Sequence, residues 1–99
     1  MGKNVVTAVD ARVDEGREAE LLDGYRRMIH EDRPDGLLRS ELLRGQDGTW
    51  RIQTTWRDLD AIIELRKSGA PPVAVALLDR VGARETHAVF TVEDSLELQ

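Results

Sequence analysis

The chain contains no cysteine. That excludes disulfide staples, thiol nucleophiles, iron–sulfur clusters and cysteine-ligated zinc, and it leaves the redox compartment open. There is no basic excess either: 14 Lys and Arg stand against 19 Asp and Glu, a formal charge of −5. A nucleic-acid partner usually leaves a basic footprint, so none is expected. No apolar run approaches the roughly 18 residues of a membrane span, and no signal-like pattern precedes the first strand. The expectation is a cytoplasmic protein with no membrane partner. No Ser-, Gly- or Pro-rich tract marks a linker, so residues 1–99 are read as one domain. P-loop, GxGxxG and GxSxG motifs are missing. The two histidines, His30 and His87, lack HxH or HxxxH spacing, so no metal site is expected.

What is present is periodicity. Residues 50–57 alternate cleanly. Trp50, Ile52, Thr54 and Trp56 share one face of an extended strand, with Arg51, Gln53, Thr55 and Arg57 on the other. Residues 4–13 are β-branched and place Val5, Thr7, Val9, Ala11 and Val13 on one face. Asp14 then reads as an N-cap for a helix over 15–32, whose apolar stripe is Leu21, Leu22, Tyr25, Met28 and Ile29. Gly24 inside that stripe costs about 1 kcal/mol against Ala and suits a close approach of another backbone. Pro34 and Asp35-Gly36 turn the chain.

Residues 37–44 fit either period; flanking turns favour a strand, the hairpin partner of 50–57. Asp58 caps a helix over 59–68, with Leu59, Ile62, Ile63 and the Arg66 stem inward. Gly69 ends it and Pro71-Pro72 reset the chain. Val73, Ala74, Leu77, Leu78 and Val81 form the stripe of a short helix stopped by Gly82. Residues 85–93 alternate again, with Thr86, Ala88, Phe90 and Val92 against His87, Val89 and Thr91. A polar tail, 94–99, is placed to reach a neighbour.

The order βαββαβ defines an α+β, ferredoxin-like, four-stranded antiparallel sheet with helices on one face. The bare face needs a cover, and a second copy of the chain supplies it in a symmetric homodimer. The valine-rich first strand followed by Glu15-Gly16-Arg17-Glu18-Ala19-Glu20, the stretch Asp35-Gly36-Leu37-Leu38 with Glu41-Leu42-Leu43-Arg44, and the third strand ending in Trp56 before a helix resemble the antibiotic biosynthesis monooxygenase family. Gly82 to Phe90 is similar to one subgroup of it. The resemblance spans essentially the whole chain. It implies a dimeric α/β barrel, a pocket between sheet and helices, and oxidation of an aromatic or quinol-type small molecule by O₂ without metal or flavin. Trp56 matches the family's recurrent Trp. A haem-cleaving member would carry a His on the helix after Trp56, and 59–68 contains none.

Oxygenation without a cofactor requires a proton acceptor, a flat apolar pocket and exclusion of water. His87 and Trp56 are the candidate catalytic residues; Trp50, Tyr25, Met28 and Phe90 are candidate substrate walls. Each also has a structural reading: the aromatic side chains as core, His87 as an ordinary strand residue, His30 as a solvated helix end favoured by the dipole. The alternative function is a non-catalytic ligand-binding or structural dimeric accessory protein of the same fold.

Overall fold

The computed structural model describes residues 2–31, 33–69, 73–82 and 84–98, so the Pro71-Pro72 reset lies outside the described residues. The elements are β1 (Val5–Arg12), a 3-10 turn (Glu15–Arg17), α1 (Glu18–Glu31), β2 (Leu37–Arg44), β3 (Thr49–Trp56), α2 (Leu59–Lys67), α3 (Val73–Arg80) and β4 (Glu85–Thr91). The strands form one antiparallel sheet in the order β2-β3-β1-β4. This is the expected ferredoxin-like arrangement, and residues 37–44 are the strand that pairs with β3. Among the described residues no helix is long and apolar enough to cross a membrane.

Alternation dictates which side chains the helices cover. In the sheet register, Val5 lies opposite Trp56, Thr7 opposite Thr54, Val9 opposite Ile52 and Ala11 opposite Trp50. All eight therefore point to the helical side. Here α1 and α3 bury Val9, Ala11, Leu21, Tyr25, Trp50, Ile52, Leu77 and Leu78 in one cluster. A second cluster forms under α2 from Val5, Trp56, Ala61 and Ile62, with Leu37 and Leu65 against it.

Two local expectations need correction. Asp14 precedes the 3-10 turn but its side chain makes no cap hydrogen bond; the first full helix begins at Glu18 instead. On α2, Leu59 and Ile63 are exposed, and the buried residues are Ala61 and Ile62. A nine-residue helix covering only the end of the sheet turns a narrow stripe inward. Its cap is as expected: Asp58 accepts from the Ala61 amide at 3.0 Å.

Gly24 is where α1 meets α3. A Cβ at that position would collide with Cδ1 of Leu77, a side chain only 3% exposed. Helix propensity would gain about 1 kcal/mol from alanine, but overpacking costs typically about 1–3 kcal/mol. Gly24→Ala is thus expected to lower the stability or leave it unchanged. Gly16→Ala, with nothing within 4 Å of its Cβ, is expected to stabilise by about 0.4–1 kcal/mol. Urea denaturation of both variants checks the contrast; a clear gain for Gly24→Ala would contradict it.

Among the described residues no helix or strand covers the opposite sheet face. It presents Asp10 from β1, Arg51 and Gln53 from β3, Glu41 and Leu43 from β2, and Ala88 and Phe90 from β4. Arg51 donates to Asp10 from Nε at 2.7 Å and from a terminal nitrogen at 3.0 Å, directly across the β1–β3 pair. That bond, with the attraction of the carboxylate, raises the Arg51 pKa above its ordinary value. Phe90 is 53% exposed and Leu43 38%.

Candidate active site

Between the two core clusters the helical side of the sheet changes character. Across the strands, the row Ser40–Thr54–Thr7–Val89 separates the row Leu42–Ile52–Val9–His87 from the row Leu37–Trp56–Val5–Thr91. Its side chains are short, and three of the four are hydroxyls. Short side chains leave space below the helices, and hydroxyls keep hydrogen-bonding capacity on the floor of that space. The result is a cavity of about 460 Å³, within the size range of small-molecule sites. Met28 and Ile29 of α1, Ile62 and Leu65 of α2 and Val73 to Val75 of α3 close it from above.

Trp56 forms one wall. Its indole Nε1 donates to Thr7 Oγ1 at 3.0 Å, so the ring is pinned by the floor itself. His87 lies opposite Val9 in the register, which turns it to the helical side, and it lines the cavity. It sits on the outer strand β4 and is exposed, so it stands at the mouth rather than in the interior. Its imidazole makes no hydrogen bond to a described residue, leaving both ring nitrogens available to a ligand.

Of the candidate residues, Trp56, Met28 and His87 are brought together on the cavity. Tyr25 and Trp50 are buried in the larger cluster, away from its lining. Tyr25 still reaches the site through one bond, because its hydroxyl donates to the floor hydroxyl of Ser40 at 2.9 Å. Trp50 is held elsewhere: its Nε1 donates to Glu18 at 3.2 Å and the Arg44 guanidinium lies 4.5 Å above its ring. Phe90 pairs with Val6 and points to the bare sheet face. The even positions of β4 belong to that face, so Phe90 cannot wall a cavity on the other. His30 is not on the lining.

Sequence reasoning missed Thr7, Ser40 and Thr54, and it missed Arg33 and Arg39 on the wall. The signal for the floor was present: Thr7 and Thr54 interrupt two otherwise apolar faces. The arginines gave no such signal: Arg33 follows α1 outside any periodic element, and Arg39 comes next to a β-bulge at the start of β2 and pairs with Thr55 of the other sheet face. Among the described residues no group of three or more His, Asp or Glu could hold a metal ion.

The antibiotic biosynthesis monooxygenase profile matches residues 5–75, which spans β1 to the start of α3. No curated protein matches the chain. Among solved structures, SnoaB, a cofactor-independent oxygenase from Streptomyces nogalater, superimposes with a TM-score of 0.71 at 24% identity, covering 96% of this chain and 98% of its own. The heme-degrader MhuD from Mycobacterium tuberculosis gives 0.71 at 22% identity, with 94% and 99% covered. A conserved protein from Methanosarcina mazei Go1 gives 0.71 at 7% identity, with 90% and 92% covered. Identities this low support the architecture alone, whereas the profile covers well over half of the sequence. The chain belongs to the antibiotic biosynthesis monooxygenase family.

Proposed function

We propose that this protein is a cofactor-independent monooxygenase that oxidises an aromatic, quinol-type small molecule with O₂ in the cavity between sheet and helices. The observation that carries the reading is the cavity itself: an apolar space with a pinned tryptophan wall, a hydroxyl floor and, at its mouth, an imidazole that bonds to no described residue. A flat ring fits against Trp56, Met28 and Leu37. His87 takes the proton whose loss makes the ring electron-rich, and the floor hydroxyls of Thr7, Ser40 and Thr54 donate to the developing oxyanion. The substrate supplies the electrons: one oxygen atom enters the ring and the other leaves as water. SnoaB, of similar fold, is described as an oxygenase of this cofactor-free kind. MhuD is a heme-degrader, but α2 of this chain carries no histidine, and the cavity histidine stands on β4. Oxygen uptake by the metal-stripped protein with anthrones, dihydroxynaphthalenes and quinols tests the activity.

A homodimer is part of the same reading. The bare sheet face carries both charge signs together with exposed Phe90 and Leu43, and the segment beyond β4 holds Leu96 and Leu98 at 83% exposure each. A second copy packed on this face would cover both. The expected result is elution from gel filtration at twice the 11.1 kDa chain mass, shifting toward the monomer in Phe90→Asp. Monomeric elution of the unmodified protein at micromolar concentration would contradict the dimer.

A further inference from the structure

The charged groups on the cavity wall all have one sign. They are arginines, Arg33, Arg39 and Arg66 being on the lining, and no Asp or Glu is among the described lining residues. This is so in a chain with 19 acidic and 14 basic residues. The three arginines are not equivalent. Arg39 lies opposite Thr55, so its side chain belongs to the other sheet face, where it is engaged with Glu41 at 3.0 Å. Arg33 donates only from Nε, to the carbonyl of Ile29 at 3.0 Å, which fixes its stem at the end of α1 and leaves its terminal nitrogens without a described partner. The Arg66 side chain, in the last turn of α2, makes no hydrogen bond or ion pair with any described residue. The wall thus offers two guanidinium groups, from two different helix ends, to whatever enters.

From this arrangement we infer that the ligand is an anion, an aromatic acid whose carboxylate is held by Arg33 and Arg66 while its rings lie against Trp56. The inference rests on reading the cavity as a substrate site and narrows its substrate class from neutral quinols to carboxylated ones. Guanidinium groups match a carboxylate in planar, two-pronged geometry, and such charge-assisted bonds are about twice as strong as neutral ones. At a partly exposed mouth each pair is weakened by water and salt, so discrimination of about tenfold is expected rather than several orders of magnitude. An aromatic acid also matches the split of the site, apolar within and cationic at the rim.

The test compares two probes of nearly equal shape, anthraquinone-2-carboxylate and anthraquinone-2-carboxamide, binding to the intact protein by calorimetry and tryptophan quenching. The carboxylate is expected to bind about tenfold more tightly at low salt, with the preference falling as salt is added. In R33Q/R66Q the preference is expected to shrink to within about twofold while the amide binds as before, since both positions are exposed and carry no core packing. Equal binding of the two probes, a preference that survives in the double variant, or no binding of either at millimolar concentration overturns the inference. Because binding is read without turnover, the readings separate. Preferential carboxylate binding without any oxygen uptake would sink the oxygenase and keep the anion site. Turnover of neutral quinols as fast as of their acids would do the reverse.

Discussion

Replacing Trp56 with alanine is expected to lower the unfolding free energy by about 3–5 kcal/mol, the usual cost of emptying a large aromatic site. Trp56 is 8% exposed and is the largest member of the small cluster with Val5, Ala61 and Ile62. That cluster is what joins α2 to the end of the sheet, so little remains to hold the helix when the ring is gone. The substitution also strips Thr7 of its 3.0 Å indole donor. Against the roughly 5–15 kcal/mol of a typical domain, the loss leaves a marginal protein whose melting temperature falls by well over about 10 °C. Trp56→Phe retains most of the buried area but not the hydrogen bond, and is expected to cost about 1–2 kcal/mol. Urea denaturation followed by circular dichroism measures both. A loss below about 1 kcal/mol for Trp56→Ala would mean that the second cluster does not stabilise the fold as described.

Most of the fold was legible because it is written in alternation. The Trp50–Trp56 and Val5–Ala11 faces each follow one period, with Thr54 and Thr7 as their polar members, and the α1 stripe buries Leu21 and Tyr25 with Leu22, Met28 and Ile29 partly buried beside them. The strand at 37–44 was decided by its flanking turns, where Gly36 at φ +89° and Gly48 at +83° adopt the left-handed conformation that glycine favours. The orientation of α2 was not legible: Leu59, Ile62 and Ile63 are equally apolar, and only the packing of Ala61 on the chain near Gly36 decides which of them faces in. The site was legible by halves. Period two assigns His87 and Phe90 to opposite faces, and that parity removes Phe90 from the cavity. It cannot say that Trp50 packs under α1 while Trp56 stands beside an open space, because both share one face of one strand. The difference arises from the threonine row between them, a feature that exists only once three strands are in register.

His87→Ala is expected to reduce turnover by about 10²–10⁴-fold, the range over which a positioned proton acceptor acts. The fold should be nearly unaffected, since His87 is exposed on an outer strand and bonds to no described residue. That combination, a large kinetic loss with an unchanged melting curve, separates a chemical role from a structural one. The exposed mouth also allows free imidazole to enter, so part of the lost rate should return when imidazole is added to His87→Ala. Tyr25→Phe is the informative contrast. It removes the donor to Ser40 from behind the floor and is expected to slow turnover by about tenfold or less, because it acts only through that hydroxyl. Turnover by His87→Ala at the unmodified rate would remove His87 from the chemistry.

The most direct measurement is oxygen consumption by the purified, metal-stripped protein with a panel of anthrones, dihydroxynaphthalenes and quinols, carboxylated and neutral, against the spontaneous rate of each. Uptake that is proportional to protein, unaffected by chelator, and lost in both Trp56→Phe and His87→Ala is the expected result, and it would locate cofactor-free oxygenation in the cavity. Tight binding of these aromatic compounds with no uptake above the spontaneous rate would contradict it, and the cavity would then be a ligand-binding site without chemistry.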